Sequence, residues 1–285
     1  MGGYELTALD DESMGSGTRV VELGARFVAG DVRDSALMTQ LAREADVIIH
    51  LAADTRVMDS IDDPAHNFDV NVVGTFRVLE AARAAGIQCV INASTGGAIL
   101  GDAQPPVNED MPARPVAPYG AAKLAAEGYC SAFSGAYGLR TVSLRFSNVY
   151  GPGSFHKGSV VAHFYKRILA GEDIVIYGDG SQTRDFLYIG DLIEGVQGAI
   201  EREATGVFQL GSGVGTTVTE LIHLIRNAVG PAYPFSVRHE DFRAGEIKQS
   251  WCDVAKARRE LAFAPTISLA EGLANTWTWF LENRT

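Results

Sequence analysis

Short apolar runs alternate with helical patterns along the first half of the chain, and this alternation narrows the possible folds more than any other feature. The stretches "RFVAGDV", "DVIIHLAA" and "QCVINAST" have the length of buried strands. Each is followed by a segment whose apolar residues recur at helical spacing. Because strands that alternate with helices form parallel sheets, we expect an α/β fold with a doubly wound parallel sheet.

The pattern changes after Tyr150, where glycine-rich turns such as "GPGSFHKG" and "GDGSQTRD" separate shorter elements. We expect residues 1–150 to form a dinucleotide-binding lobe. Residues 151–184 and 206–285 are expected to form a smaller α/β lobe that binds the substrate. The segment 185–205 is helical in pattern and is expected to return to the first lobe.

Charge and composition exclude several classes of protein. The formal net charge of −11 argues against nucleic-acid binding, which requires a basic face. The longest apolar stretches, such as "VIIHLAA", are far shorter than the ~20 residues of a membrane span. The three cysteines and six histidines show no metal-ligand spacing. With no leader pattern at the first residues, we expect a cytoplasmic protein with no resident metal.

The pair Tyr119 and Lys123, in "YGAAK", is the first candidate for catalysis. Residues four positions apart lie on one face of a helix. A phenol has a pKa of about 10, and a nearby ammonium lowers that pKa, so Tyr119 could accept a proton from a sugar hydroxyl. The same spacing also occurs in ordinary surface helices, so the assignment depends on its surroundings.

Ser94 and Thr95 supply those surroundings. They end "NAST", a predicted buried strand, which places them at the carboxyl edge of the parallel sheet, where such folds bind ligands. A hydroxyl there can hydrogen-bond the same substrate oxygen as Tyr119. The alternative is that each hydroxyl only caps the following turn.

Further motifs follow one another along nearly the whole chain: "LDD", "GDVRD", "HLAA", "NVVGT", "AST", "YGAAK", "LRFSNVYGPG", "YGDGSQTRDFLYIGDL" and "RAGEIKQSWCD". In this order they are specific, and the sequence resembles the extended short-chain dehydrogenase/reductase family, most closely its UDP-glucose 4-epimerases. The resemblance implies a Rossmann-like fold and NAD-dependent epimerisation at C4 of a UDP-sugar through a transient 4-keto intermediate. It also implies that Thr95 or Ser94, Tyr119 and Lys123 are catalytic.

The resemblance further implies an NAD site. Asp10 is expected to bind the adenosine ribose, and its charge would repel a 2′-phosphate and so favour NAD over NADP. Lys123, together with Tyr119, is expected at the nicotinamide ribose. The other cofactor-binding residues implied are Asp31 and Val32 beside the adenine, Leu51, Ala52 and Ala53 beneath the cofactor, and Asn71 on a helix.

Substrate contacts are implied in the same way. Asn148, Arg184 and Arg243 are expected at the phosphates, since a guanidinium fits phosphate oxygens. The implied contacts at the uridine end are Tyr177 and Glu246. Arg56 lies in a loop expected to face the sugar, and it could recognise the C6 carboxylate of a UDP-uronate. The alternative for Arg56 is a solvent-facing or phosphate-binding role.

Two glycines after Thr95 depart from part of the family pattern. Dehydratases and decarboxylases often place an acid just after the catalytic hydroxyl, to move a proton at a second carbon. Gly96 and Gly97 stand there instead, and neither can act as an acid or base. This favours an epimerase. The additional glycine leaves open whether Ser94 or Thr95 is the catalytic hydroxyl, and we favour Thr95.

A second departure concerns the glycine-rich strand–loop–helix unit that binds the pyrophosphate in the family. The sequence contains no such unit before Tyr4. We therefore expect the native chain to carry about 25–30 further residues, the size of one βα unit.

The expected activity is that of an NAD-dependent UDP-sugar 4-epimerase acting on UDP-glucose and UDP-galactose or on the corresponding uronates. Two alternatives remain: a UDP-sugar decarboxylase or dehydratase on the same fold, and an inactive nucleotide-sugar-binding protein that lacks the phosphate loop. The helical segments 66–86 and 118–138 resemble those that form a four-helix bundle in family dimers, so a homodimer is expected.

Overall fold

The computed structural model describes residues 3–241 and 247–283. The chain divides into two compact units. Unit 1 comprises residues 1–93 and 117–143, and unit 2 comprises residues 94–116 and 144–285. The lobes expected from the sequence, with their functional assignments, remain a prediction.

Unit 1 is built from strand–helix repeats. Strand β1 pairs in parallel with β2, and β3 pairs in parallel with β4, in a separate sheet. In order along the chain, the elements are β1 (Thr7–Asp10), α1 (Thr18–Glu22), β2 (Arg26–Ala29), α2 (Ser35–Ala42), β3 (Val47–His50), α3 (Val57–Asp62), α4 (Pro64–Phe68), a π-helical turn (Asp69–Val73), α5 (Gly74–Ala85), β4 (Cys89–Thr95), α7 (Pro118–Tyr137) and the start of β5 (Arg140–Phe146).

The parallel strands and the helices between them confirm the α/β fold expected from the alternating pattern. Strands β4 and β5 begin in unit 1, and their last residues belong to unit 2. They lie in the middle of a four-stranded sheet of order β10-β5-β4-β3, in which β10 is Gly206–Leu210. Among the described residues, β1 pairs only with β2 and β3 only with β4, so each has one unpaired edge. The additional strand expected from the resemblance stays a prediction.

The helical segment 66–86 is not one regular helix, although its pattern predicts one. Between α4 and α5 the backbone widens into the π-helical turn, which contains the buried Asn71. The hydroxyl of Thr75 donates to the carbonyl of Asn71 at 2.6 Å. Such π turns are often found at functional sites, because they redirect a side chain that a regular helix would point elsewhere. Hydrophobic periodicity does not reveal this local change.

Unit 2 packs helices and short strands around an aromatic core that includes Tyr165, Trp277 and Phe280. Its elements are α6 (Gly96–Leu100), the end of β5, β6 (Asn148–Tyr150), α8 (Val160–Leu169), β7 (Ile174–Tyr177), β8 (Thr183–Arg184), β9 (Phe186–Tyr188), α9 (Ile189–Glu201), β10 (Gly206–Leu210), β11 (Thr216–Thr217), α10 (Val218–Val229), β12 (Val237–Glu240), α11 (Ala255–Leu261) and α12 (Leu269–Glu282).

The segment "RTVSLRFSNVY" forms two strands rather than the single strand predicted. The break falls at Ser147, whose N–H donates to Leu210 O, while the next N–H, of Asn148, donates to Asp185 O. The chain therefore changes partner from β10 to β9 between these residues. This change of partner presents Asn148 at the start of β6 with an exposed side chain.

Within the described ranges, no helix is long and apolar enough to span a bilayer. The same ranges contain no group of three or more histidine, cysteine or acidic side chains able to hold a metal ion. Cys89, Cys130 and Cys252 are buried and free.

Candidate active site

Lys123 is anchored on the buried face of α7. This helix begins with Pro118, whose fixed φ suits the first helical position, and the next N–H, of Tyr119, donates to the hydroxyl of Ser60 at 3.2 Å. One turn later the Nζ of Lys123 donates to the carbonyl of Ala93 at 2.9 Å, near the end of β4. Burial lowers the pKa of Lys123 to about 8. The predicted Tyr–Lys pair thus lies on one helical face of unit 1.

The pKa of Tyr119 moves in the direction opposite to the one expected from the sequence. Burial, and after it the negative charge of Asp54, raises this pKa to about 12. Both effects favour the neutral phenol over the phenolate. The sequence shows that an amine stands four residues away, but it does not show how deeply the phenol is buried or that a carboxylate faces it.

Asp54 belongs to a loop that two asparagines hold in place after β3. The side-chain Oδ1 of Asn71 accepts the N–H of Asp54 at 3.0 Å, and its Nδ2 donates to the Asp54 carbonyl at 2.8 Å. Asn67 Nδ2 donates to the Asp54 carboxylate at 3.0 Å. The described contacts of Asn71 thus fix the loop containing Ala52 and Ala53, and its role toward a cofactor stays a prediction.

The predicted cofactor residues of unit 1 cluster at strand ends. Asp10 ends β1 with an exposed carboxylate that accepts the N–H of Glu12 at 2.7 Å. Leu51 directly follows β3 and is 62% exposed. Both lie at carboxyl ends of parallel strands, where doubly wound sheets bind ligands.

In the structure the carboxylate of Asp31 forms an ion pair with Arg33, whereas the sequence predicts a contact with adenine. Arg33 Nε donates to both oxygens of the Asp31 carboxylate, and Arg33 also pairs with Asp69. The hydrogen bonds from Arg33 lower the pKa of Asp31. Val32, between them, packs beside Gly74 at the start of α5. The adenine role of Asp31 and Val32 stays a prediction.

In unit 2, Ser94 and Thr95 end β4 and lead directly into α6. Ser94 is buried, whereas Thr95 is partly accessible, which agrees with the preference for Thr95 as the hydroxyl that meets a substrate. Gly96 and Gly97 form the first turn of α6 rather than a loop. No ionisable side chain therefore follows Thr95 within that turn.

The predicted phosphate and nucleoside residues that the structure describes in unit 2 lie on short strands of three separate two-stranded sheets. Asn148 begins β6, Arg184 lies in β8, and Tyr177 ends β7. Arg184 Nη1 donates to the carbonyl of Thr183 at 2.8 Å. The side chain of Gln182 donates to the carbonyl of Tyr177 at 2.8 Å. The first contact holds the Arg184 side chain beside its own strand, and the second holds the backbone at the end of β7.

Asp185 is a buried centre of this region that the sequence alone did not identify. Its carboxylate accepts the N–H and the hydroxyl of Ser212, both at 2.7 Å, and the N–H of Gly213 at 3.1 Å. It also accepts the N–H and thiol of Cys252, both at 3.3 Å. A carboxylate with five donors fixes two loops next to Arg184. In the sequence, the signal for this role is only that Asp185 directly follows Arg184, in "TRDF".

Two predicted substrate residues, Arg243 and Glu246, lie outside the described residues. Arg56 is described, in unit 1, where it precedes α3 and pairs with Asp59 at 3.3 Å on the surface. The structure therefore places the predicted catalytic residues Tyr119 and Lys123 in unit 1. The predicted site residues Thr95, Asn148, Tyr177 and Arg184 lie in unit 2.

Comparisons with known proteins identify the family of the chain. Residues 1–211 match the NAD dependent epimerase/dehydratase family. The chain belongs to this family. The match confirms the resemblance drawn from the motifs, including the cofactor class, because the family is defined by NAD dependence.

Individual relatives cover almost the whole chain. A UDP-glucose 4-epimerase of Mycolicibacterium smegmatis is 38% identical over 287 residues, which span 98% of this chain and 91% of that protein. The structure of the Thermotoga maritima UDP-glucose 4-epimerase with UDP-glucose has a TM-score of 0.94 at 33% identity, covering 99% of this chain and 93% of that one. The Thermus thermophilus UDP-glucose 4-epimerase in complex with NAD has a TM-score of 0.90 at 32% identity, covering 99% and 92%. These similarities confirm the Rossmann-like fold.

Removing the charge of Asp54 should change the pH dependence of kcat/KM of this protein. Because the Asp54 carboxylate raises the pKa of Tyr119, Asp54→Asn should lower that pKa and make the phenolate available at lower pH. We expect the acid limb of log(kcat/KM) against pH to move to lower pH. Asp62→Asn, a change on the exposed surface of α3, is the matched control and should leave the profile in place. A profile that moves to higher pH in Asp54→Asn would contradict the assignment.

Proposed function

We propose that the protein epimerises a UDP-sugar at C4, with UDP-glucose and UDP-galactose as the first substrates to consider. Within the family, the observation that carries this choice over dehydration or decarboxylation is the glycine pair that opens α6. Directly after Thr95, no side chain is available to move a proton at a second carbon. Epimerisation needs proton transfer at a single hydroxyl, which Tyr119 can supply.

Each residue has a defined part in the proposed reaction. Tyr119 accepts the proton of the C4 hydroxyl and later returns it, while Thr95 hydrogen-bonds the same oxygen. Lys123, when protonated, stabilises the phenolate, offsetting the effect of burial and of Asp54. Asn148 and Arg184 hold the phosphates while the sugar turns. When bound, NAD supplies the hydride acceptor and donor at C4.

The described residues fit NAD at two of its parts. The exposed carboxylate of Asp10 stands at the end of β1, where it can accept both ribose hydroxyls and where a 2′-phosphate would meet like charge. At the other part, the Nζ of Lys123 is fixed by the Ala93 carbonyl and retains two further protons for a ribose hydroxyl.

Product analysis tests the proposed activity. The protein is incubated with UDP-glucose and NAD, and the nucleotide sugars are separated by chromatography. We expect UDP-galactose to form until the two sugars reach equilibrium. A 4-keto-6-deoxy sugar would show a dehydratase, loss of carbon dioxide from UDP-glucuronate would show a decarboxylase, and binding without turnover would show an inactive binding protein.

Arg56 supports a finer proposal, that UDP-glucuronate is an alternative substrate. Arg56 has 58% of its side chain exposed, and its ion pair with Asp59 is a surface contact that a ligand carboxylate can replace. Arg56→Ser should then lower kcat/KM for UDP-glucuronate by about tenfold, the effect of losing one charge-assisted hydrogen bond, and leave UDP-glucose unaffected. Arg43→Ser, at the exposed end of α2, is the control. An equal loss for both sugars would reject the carboxylate proposal.

A homodimer through α5 and α7 is also proposed. Phe76 on α5 contacts the rings of Tyr129 and Phe133 on α7, and Phe133 contacts Tyr137. The side chains of Tyr129 and Tyr137 remain 41% and 55% exposed, so the face is aromatic and partly open. Tyr137→Glu should convert a dimer to a monomer in sedimentation, because it introduces a charge into the aromatic contact. A parent protein that sediments as a monomer would reject the proposal.

A further inference from the structure

Gln209, in the middle of unit 2, is a buried side chain without a described function. It lies in β10, it has no exposed surface, and its backbone N–H donates to Glu109 Oε1 at 2.7 Å. Neither Oε1 nor Nε2 of its amide has a hydrogen-bond partner among the described residues. Buried amides are rarely left in this state, so a role for Gln209 must come from the space that its side chain fills rather than from its own hydrogen bonds.

The amide of Gln209 lies directly against Gly96. A Cβ atom placed on Gly96 would stand 2.6 Å from Gln209 Oε1 and 3.6 Å from its Cδ. Real Cβ contacts do not occur at the first of these distances, so any side chain at position 96 must displace the amide. Gln209 is completely enclosed, and its amide can therefore move only by disturbing packed neighbours.

The next glycine is less restricted. A Cβ on Gly97 would stand 3.2 Å from Ser250 Oγ, which is tight but can be relieved by a small shift. The exclusion of a side chain is therefore strongest at Gly96, the residue directly after Thr95.

We propose that Gln209 is a positioning and specificity-determining residue that keeps position 96 free of any side chain. This proposal rests on the proposed function. It explains how the packing of unit 2 would restrict the protein to epimerisation. Because position 96 has no room for a side chain, Thr95 keeps its place at the end of β4, and no acidic residue can follow it directly. The site then retains a single proton-transfer group, Tyr119, and is restricted to chemistry at one carbon.

Substitution at both positions tests the pair. Gly96→Ala should lower kcat by about tenfold to a hundredfold, with KM within about threefold, because a displaced Thr95 misaligns the reacting hydroxyl. It should also lower Tm by about 2–6 °C through overpacking. In the double variant Gly96→Ala/Gln209→Ala, the new methyl group has room, and we expect at least about half of the lost log kcat to return.

A matched double variant separates size from polarity. Methionine has nearly the length and volume of glutamine but no amide, so Gly96→Ala/Gln209→Met keeps the collision and should stay as impaired as Gly96→Ala. A kcat of Gly96→Ala equal to that of the parent, or equal rescue by alanine and methionine, would overturn the proposal. If Gly96→Ala does not fold, a folded and active alanine double variant beside an inactive methionine one supports it, and two inactive double variants overturn it.

The Tm values distinguish failure of this proposal from failure of the proposed function. If the parent protein turns over no UDP-sugar, the proposed function fails, and with it the specificity role. The packing of Gln209 against Gly96 is then still tested by whether the alanine double variant regains the Tm lost in Gly96→Ala.

Discussion

Tyr119→Phe should reduce kcat for UDP-galactose by about 10²–10⁴-fold, the usual loss when the general acid–base group is removed. The variant lacks only the phenolic oxygen, and the ring remains in its partly buried place on α7. We therefore expect KM to stay within a few-fold of the parent value and Tm to be nearly unchanged. Steady-state kinetics and thermal unfolding of the same preparation measure both.

Tyr129→Phe is the control for this variant, since Tyr129 lies on the same helix with a partly exposed side chain. Its activity should match the parent. A Tyr119→Phe protein that retains more than about a tenth of the parent kcat would remove Tyr119 from the proton transfer on which the proposed chemistry depends.

The placement of Tyr119 and Lys123 on one helix could be predicted from the sequence because the two residues are close along the chain. Helical spacing alone places Tyr119 and Lys123 on one face. The environment that sets their pKa values could not be predicted in this way. Asp54 lies 65 positions before Tyr119. Of the two asparagines that hold Asp54, Asn67 lies in α4 and Asn71 lies in a π-helical turn that no periodicity reveals.

The alternation of strands and helices likewise predicted the parallel strands of unit 1, whose apolar runs carry their own signal. Unit 2 was less predictable. Its strands β8, β9 and β11 have only two or three residues each, too few for any period, and they are fixed by hydrogen bonds to distant parts of the chain. Asp185 makes its hydrogen bonds to distant parts of the chain, and the amide of Gln209 lies against the distant Gly96, so the neighbours of either residue in sequence do not reveal these contacts.

The second large effect is expected for substitution of Asp185, which should lower the stability of the fold. Asp185→Ala would leave the N–H of the buried Cys252, and the more accessible N–H groups of Ser212 and Gly213, without their acceptor. A buried donor left unsatisfied costs about 1–3 kcal/mol and a donor that water can reach costs less, so we expect the free energy of unfolding to fall by about 2–4 kcal/mol. Urea denaturation of the variant and the parent measures this difference through the change in midpoint.

Asp179→Ala is the matched comparison, because within the described part of the chain the Asp179 carboxylate accepts only local hydrogen bonds, from the N–H and hydroxyl of Ser181. Its unfolding midpoint should stay close to that of the parent. If Asp185→Ala were as stable as Asp179→Ala, the five-donor cluster would not be what fixes the loops beside Arg184.

The most direct measurement of the central claim is a proton NMR spectrum of UDP-galactose incubated with the protein and NAD in D₂O. Epimerisation through a 4-keto sugar returns the same hydride to C4, so UDP-glucose should appear with its C4 proton intact and without deuterium at any carbon. Formation of a 4-keto-6-deoxy sugar carrying solvent deuterium, or no conversion by a protein that binds both ligands, would contradict the epimerase assignment.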